Sequence, residues 1–354
     1  MFKMDRVINL DIPEVGEQIL DHIDTDGLFQ LFRVSRTWKI LAENVLVKRW
    51  RDADKSFDAC VEGKAKIVKL LLERCNSEEI GLNARDEFGC TPFMWACYNG
   101  HKDVVQLLLD NLERIELNAR SNNGRTAFIL ACRNGQKHVV QLLLEHSERI
   151  EFNIKDTVEE RGLTAFMEAC RFGHKDVVRL LLDHSERIDL NARDKKEMTA
   201  FLWACCWDIK DVVKLLLDHP ERIELNARDN EGWTALMYAC FEGHKDVVQL
   251  LLDNSERIEL NARDDNGETA FMRAAEENRK DIVKLLLDYA SSNIDLNARA
   301  NNGRTAITIV CQYEHKDIVK LILNHLDQNG WTLFYTNVAE HDMFWDFVNS
   351  HFQF

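Results

Sequence analysis

The chain is 354 residues long, 45% hydrophobic and 30% charged, with a formal net charge of −15 at pH 7. This composition can bury apolar surface and is not that of a disordered chain. The length exceeds what a single compact core ordinarily holds. An acidic surface repels phosphate backbones and anionic headgroups, so neither nucleic acid nor membrane is expected as a partner. No stretch approaches the ~20 apolar residues of a membrane span, and the first residues lack the apolar core and small-residue cleavage site of a signal peptide. Seven of the ten cysteines recur at one slot of a repeated pattern and there is no CxxC, so they read as small packing residues rather than disulfide partners. A reducing compartment, cytoplasmic or also nuclear, is the expectation.

Residues 8–50 predict three short helices. Pro13 suits the first turn of a helix running through Ile19, Leu20 and Ile23. Asp24 to Gly27 break it with capping residues, Leu28, Leu31 and Val34 give a second amphipathic helix, and Ser35 can cap a third that carries Trp38 and Leu41 and ends near Trp50. The order Ile12-Pro13-Glu14, Ile19-Leu20, Asp24 with Leu28, and Val34-Ser35-Arg36 with Trp38 resembles the F-box. It departs in Ile12 for leucine, Gly16 in an apolar stretch, and Gly27 before Leu28. The resemblance implies docking on a Skp-family adaptor and through it on a cullin ubiquitin ligase. An exposed apolar set of Ile12, Pro13, Val15, Ile19, Leu20 and Ile23, with Leu28, would make the contact. The alternative reading of the same helices is an N-terminal cap that shields the first repeat.

From residue 52 onward the sequence repeats itself. GCTPFMWACYNGHKDVVQLLLD, from Gly89, returns as GWTALMYACFEGHKDVVQLLLD from Gly232. A threonine marks each unit at Thr91, Thr126, Thr164, Thr199, Thr234, Thr269 and Thr305, at spacings of 35, 38, 35, 35, 35 and 36 residues, and Thr332 comes after another 27. Threonine is a good N-cap for a short helix. Gly100, Gly135, Gly173 and Gly243 suit its left-handed end. A second helix such as Lys102–Leu109 carries an apolar stripe too wide to satisfy alone, so units must stack. The unit resembles the ankyrin repeat, with an apolar residue (Met94, Met167, Met237, Met272) where that family has histidine, and with a loop, ERIELNAR, about two residues longer.

The expected fold is therefore all-α: an ankyrin-repeat solenoid preceded by a three-helix F-box-like domain. Its divisions are residues 1–51, about eight repeats over 52–328, and a degenerate C-terminal capping repeat over 329–354. The ankyrin resemblance implies a concave binding surface of finger tips and first-helix ends. Carried over position by position, that surface holds Tyr98, Arg125, Arg133, Arg171, Phe172, Trp207, Trp233, Phe241 and Glu277. Solvent-facing aromatics at a non-core slot suit a partner that covers them; the competing reading packs these rings against neighbouring units. The flanking charges, basic on the N-terminal side and acidic on the other, suit an unidentified target protein with an apolar centre and the opposite polarity. The finger Asp156–Arg161 holds a three-residue insertion. Recurrent His101, His174, His244 and His315 read as loop elements, not metal ligands. No GxGxxG, GxxxxGK[ST], HExxH or GxSxG occurs, so neither an enzyme nor a cofactor is expected.

Overall fold

The computed structural model describes residues 20–329, apart from 34, 35, 77, 78, 147, 159, 160 and 290–293. Ile12, Pro13, Val15 and Ile19, the capping segment from residue 330 on, and Glu159 and Glu160 of the long finger therefore lie outside the described residues. Among the described residues every regular element is a helix. The chain divides into two compact units, residues 1–131 with 136–151, and residues 132–135 with 152–354.

In the first unit, α1 (Thr25–Leu31) is capped by Asp24, whose carboxylate accepts the Gly27 N–H at 2.7 Å. Helix α2 (Arg36–Trp50) buries Ala42, Val45 and Leu46, and Arg49 reaches back to the carbonyls of Asp21 and Ile23 at 3.1 Å. Leu20 and Leu28 are fully buried and Ile23 is half-buried. This corrects the expected exposed set: Leu20, just upstream of α1, and Leu28 are core residues, and the short α1 must bury its apolar Leu28 to be stable at all. The exposed apolar side chain here is Ile40, on α2.

The first repeat begins at once with α3 (Ala53–Val61) and α4 (Ala65–Arg74). Its cap is Asp52, accepting from Asp54 N at 3.0 Å, two residues upstream of the slot the threonine fills elsewhere. Glu43 of α2 pairs with Arg74, and Lys64 lies 4.3 Å from the Trp50 ring, so the N-terminal helices rest directly on this repeat. Helices α5 (Pro92–Asn99), α6 (Lys102–Leu109), α7 (Ala127–Arg133) and α8 (Lys137–Glu145) complete the pairs up to the second unit.

Among the described residues the second unit holds five helix pairs, the first four being α9 (Ala165–Arg171) with α10 (Lys175–Leu182), α11 (Ala200–Cys206) with α12 (Lys210–Leu217), α13 (Ala235–Glu242) with α14 (Lys245–Asp253), and α15 (Ala270–Glu276) with α16 (Lys280–Tyr289). A fifth pair is α17 (Ala306–Gln312) with α18 (Lys316–Asn329). First helices are nearly all apolar, burying for example Phe166, Met167, Ala169 and Cys170. They lie between neighbours on both sides, so they carry no polar stripe. Gly173 and Gly243 end their helices at φ 75° and 93°; where glycine is missing, Asp208, Asn278 and Glu314 take the same left-handed turn at 54–58°. Those three bear the strain of a side chain in that region.

Polar ties repeat between neighbouring units. The histidine before each second helix donates from Nε2 to a carbonyl one repeat back: His174 to Arg133 at 2.7 Å, His244 to Cys206 and His315 to Glu276 at 2.9 Å. Arg279 replaces the histidine and reaches Phe241 O at 2.8 Å through Nε, and Gln136 does the same for Tyr98 O within the first unit. Each histidine ties two repeats together by a part-buried hydrogen bond, of net worth about 1 kcal/mol. His174→Ala is expected to lower stability in urea unfolding by about that amount, and His174→Gln to recover most of it, as Gln136 does naturally. Equal losses in both variants would mean that the hydrogen bond is not what the ring contributes. Asparagines of the long loops form a second ladder: Asn191 Nδ2 donates to Arg222 O at 2.8 Å and its Oδ1 accepts from Glu224 N at 2.9 Å, and Asn226 repeats the pattern with Arg257 and Glu259.

Candidate partner-binding face

The helix caps place the binding positions. Thr164 and Thr234 accept the backbone N–H of Met167 and Met237 at 3.3 and 3.4 Å, while the methionine sulfurs accept the threonine N–H at 3.5 Å. Thr91 and Met94 do the same in the first unit. The methionine slot is therefore a reciprocal cap as well as an apolar one.

Four fingers are closed by an aspartate that also grips the helix behind it. Asp194 Oδ1 accepts from Lys196 N and Met198 N at 2.8 and 2.9 Å, and its Oδ2 accepts from Trp203 Nε1 at 3.1 Å. Burial raises the Asp194 pKa, and these hydrogen bonds oppose the rise. Asp229 accepts from Trp233 N at 2.7 Å and from the Tyr238 hydroxyl at 2.6 Å; burial, then this carboxylate, raises the tyrosine pKa. Asp264 pairs with Arg273, and Asp86 with Trp95 at 2.7 Å in the first unit. All four pairs are nine residues apart. The sequence pattern did not single out Trp95, Trp203, Tyr238 or Arg273, although a donor recurring nine residues after four of the finger aspartates was a visible signal.

At the same slot of the long-finger repeat stands Glu168, which cannot pair with an aspartate. It is fully buried and accepts from Arg133 Nη1 through both oxygens, at 2.9 and 3.1 Å, with Arg171 at 3.9 Å. The two guanidiniums carry an aromatic cluster. Arg133 lies 4.3 Å from the Phe172 ring centroid, and Arg171 lies 5.2–5.3 Å from Phe172, Trp203 and Trp207. Phe172 and Trp207 are 42% and 51% exposed, so the cluster presents two rings to solvent on a cationic backing.

Trp233 and Phe241 differ from expectation. Both are half-buried, with Trp233 5.1 Å from Tyr238, 5.2 Å from Phe241 and 4.4 Å from the Arg273 guanidinium. They pack on their own repeat and on Arg273 of the next. Burial works against the charge on Arg273, but Asp264, Glu268 and Glu276 outweigh it and raise its pKa. Arg304 joins Glu268 at 2.9 Å. Glu277 is half-buried at the end of α15, and Tyr313, 46% exposed, approaches Glu276 through its hydroxyl at 3.4 Å. In the first unit, Tyr98 is half-buried with its ring 5.3 Å from Trp95, Arg125 is half-buried, and Phe88 is an exposed finger tip. The structure thus gathers Arg133, Arg171, Phe172 and Trp207 into one cluster and places Trp233 and Phe241 in another. Tyr98 and Arg125 belong to the other unit.

Reactive chemistry is weak here. Cys206, beside Trp207, has its thiol pushed up to about 11 by burial and then by Glu242, so at neutral pH it is a poor nucleophile. Among the described residues no group of three His, Cys, Asp or Glu side chains is arranged to hold a metal, and no helix is long and apolar enough to cross a membrane.

A family described as "Ankyrin repeats (3 copies)" matches residues 57–156, 148–229 and 221–300, more than half of the chain. The chain belongs to the ankyrin-repeat family. No match to an F-box family was found. Among curated proteins it is similar to osteoclast-stimulating factor 1 of Monopterus albus, 49% identical over 39 residues, 11% of this chain and 18% of that protein. Acyl-CoA-binding domain-containing protein 6 of Danio rerio is 45% identical over 62 residues, 17% of this chain and 20% of that protein. The matches thus span about a fifth of each relative's length and bear on the repeats alone. Ankyrin repeats are protein-interaction modules.

Proposed function

We propose that this chain is a target-recruiting subunit of a Skp–cullin–F-box type ubiquitin ligase in a reducing compartment, gripping a target protein on the second unit. The observation that carries target binding is the Phe172–Trp207 pair, two large rings left in water over the Arg133 and Arg171 guanidiniums. Clustered exposed aromatics with arginine are the residue types that dominate interfaces. The adaptor end rests on the F-box-like order of residues 12–38, and the Asp24 cap of α1 is consistent with it. The second reading, an ankyrin scaffold whose N-terminal helices only cap the stack, is favoured by the Glu43–Arg74 pair and the buried Leu20 and Leu28.

Titration of the full chain with a Skp-family adaptor by calorimetry separates the two. The receptor reading expects saturable binding that an Ile12→Ala/Pro13→Ala variant loses. A well-folded chain that releases or absorbs no heat of binding would leave the scaffold reading.

A further inference from the structure

The finger tips of the second unit form a hydrogen-bonded row. Lys195 N donates to Arg161 O at 2.8 Å, Asn230 N to Lys196 O at 3.0 Å, Asp265 N to Glu231 O at 3.1 Å, and Asn301 N to Asn266 O at 2.8 Å. This ladder fixes an order along the row: Arg161, then Lys195 and Lys196, then Glu231, then Asp265. The side chains of Lys195, Lys196, Glu197, Glu231 and Asp265 are exposed, so two lysines outweigh one glutamate in the first of these tips and the sign turns negative at Glu231 and Asp265. The first-helix ends keep the same order. Arg133 and Arg171 flank Phe172 and Trp207, after which come Phe241 with Glu242, and then Glu276 with Glu277.

A chain of net charge −15 repels acidic segments everywhere except where its own charge is locally reversed. The reversal here borders the two exposed rings, and the opposite sign lies on their far side. Such a gradient attracts one orientation of a bipolar ligand and penalises the other, because like charges brought together at an interface cost binding. The rings are also held in place before any ligand arrives, since Arg171 lies 5.2 Å from Trp207, which reduces the ordering cost of binding.

We infer that the occupant of this face is a segment of a partner protein with a fixed charge polarity. Its acidic side chains lie toward Arg161, Lys195 and Lys196, its large apolar anchor lies on Phe172 and Trp207, and its lysine or arginine side chains lie toward Glu231, Asp265 and Glu277. The inference rests on the second unit being the target-binding face and adds the chemistry of what binds there.

The probe is a display library of random peptides selected on the full-length chain, with each enriched peptide then titrated against variants. Peptides are expected to share one order, an acidic block, a large apolar residue and a basic block, and to lose binding to a Phe172→Ala/Trp207→Ala variant. A Lys195→Glu/Lys196→Glu/Glu277→Lys variant, checked for native helicity, should bind them about tenfold or more weakly and should prefer synthetic versions with the two charged blocks exchanged. Peptides that need Trp207 yet show no charge order, or ignore the charge reversal, would overturn the polarity while leaving the face. A library yielding no peptide that depends on Phe172 and Trp207 would overturn both.

Discussion

Replacing Glu168 with alanine is expected to cost about 3–5 kcal/mol of stability, the range for removing one partner of a buried ion pair. The carboxylate is fully buried, and it is the shared anion of Arg133 and Arg171, whose side chains are only 27% and 17% exposed. Without it, two partly buried guanidiniums lose their shared anion, and the desolvation they have already suffered is no longer offset. Glu168→Gln keeps an acceptor oxygen without the charge, so it should fall between alanine and wild type. Glu186→Ala, on an exposed loop, should change stability by less than about 0.5 kcal/mol. Chemical unfolding monitored by both far-UV circular dichroism and tryptophan fluorescence measures all three. The second signal matters because Trp203 and Trp207 sit against Arg171, and a repeat stack need not unfold as one unit. A Glu168→Ala chain as stable as wild type would mean that the arginines find water or other anions at no cost, and that the cluster is not held from below.

The second large effect concerns binding rather than stability. A Phe172→Ala/Trp207→Ala chain should lose partner affinity by about 100-fold or more, since each exposed ring at an interface centre is worth about 2 kcal/mol. Its unfolding free energy should fall by no more than about 1 kcal/mol, because the rings are half out of water and lose mainly a cation–π contact with Arg171 or Arg133. Unchanged affinity together with a large stability loss would assign the rings to packing, as already holds for Trp233 and Phe241.

Those two pairs show how far the sequence could be read. The repeat, its caps and its helix ends were legible because each depends on local rules: a threonine cap, a left-handed turn and a wide apolar stripe. The finger and first-helix positions were also legible, since they are fixed by register. Exposure was not. Both Trp233, at a finger tip, and Trp207, at a first-helix end, sit at non-core slots, but Trp233 meets Arg273, Tyr238 and Phe241, whereas Trp207 stands just past a helix end against Arg171 and stays 51% exposed. That difference comes from two rings of Trp233's own repeat and from an arginine about a repeat away. Glu168 was hidden for the same reason, because its partner Arg133 is 35 residues distant and both look like ordinary surface charges. Leu20 and Leu28 fit an exposed F-box-like set by pattern, yet both are fully buried, Leu28 because a helix as short as α1 needs it in its core.

A partner protein seated on the Phe172–Trp207 face would be trapped by a photo-crosslinking amino acid placed at position 207 of the full chain in its native cells. Lys214, exposed on α12, serves as the comparison position. A discrete crosslinked product is expected from position 207 and none from position 214. Products from both positions alike, or from position 214 alone, would contradict a partner seated there.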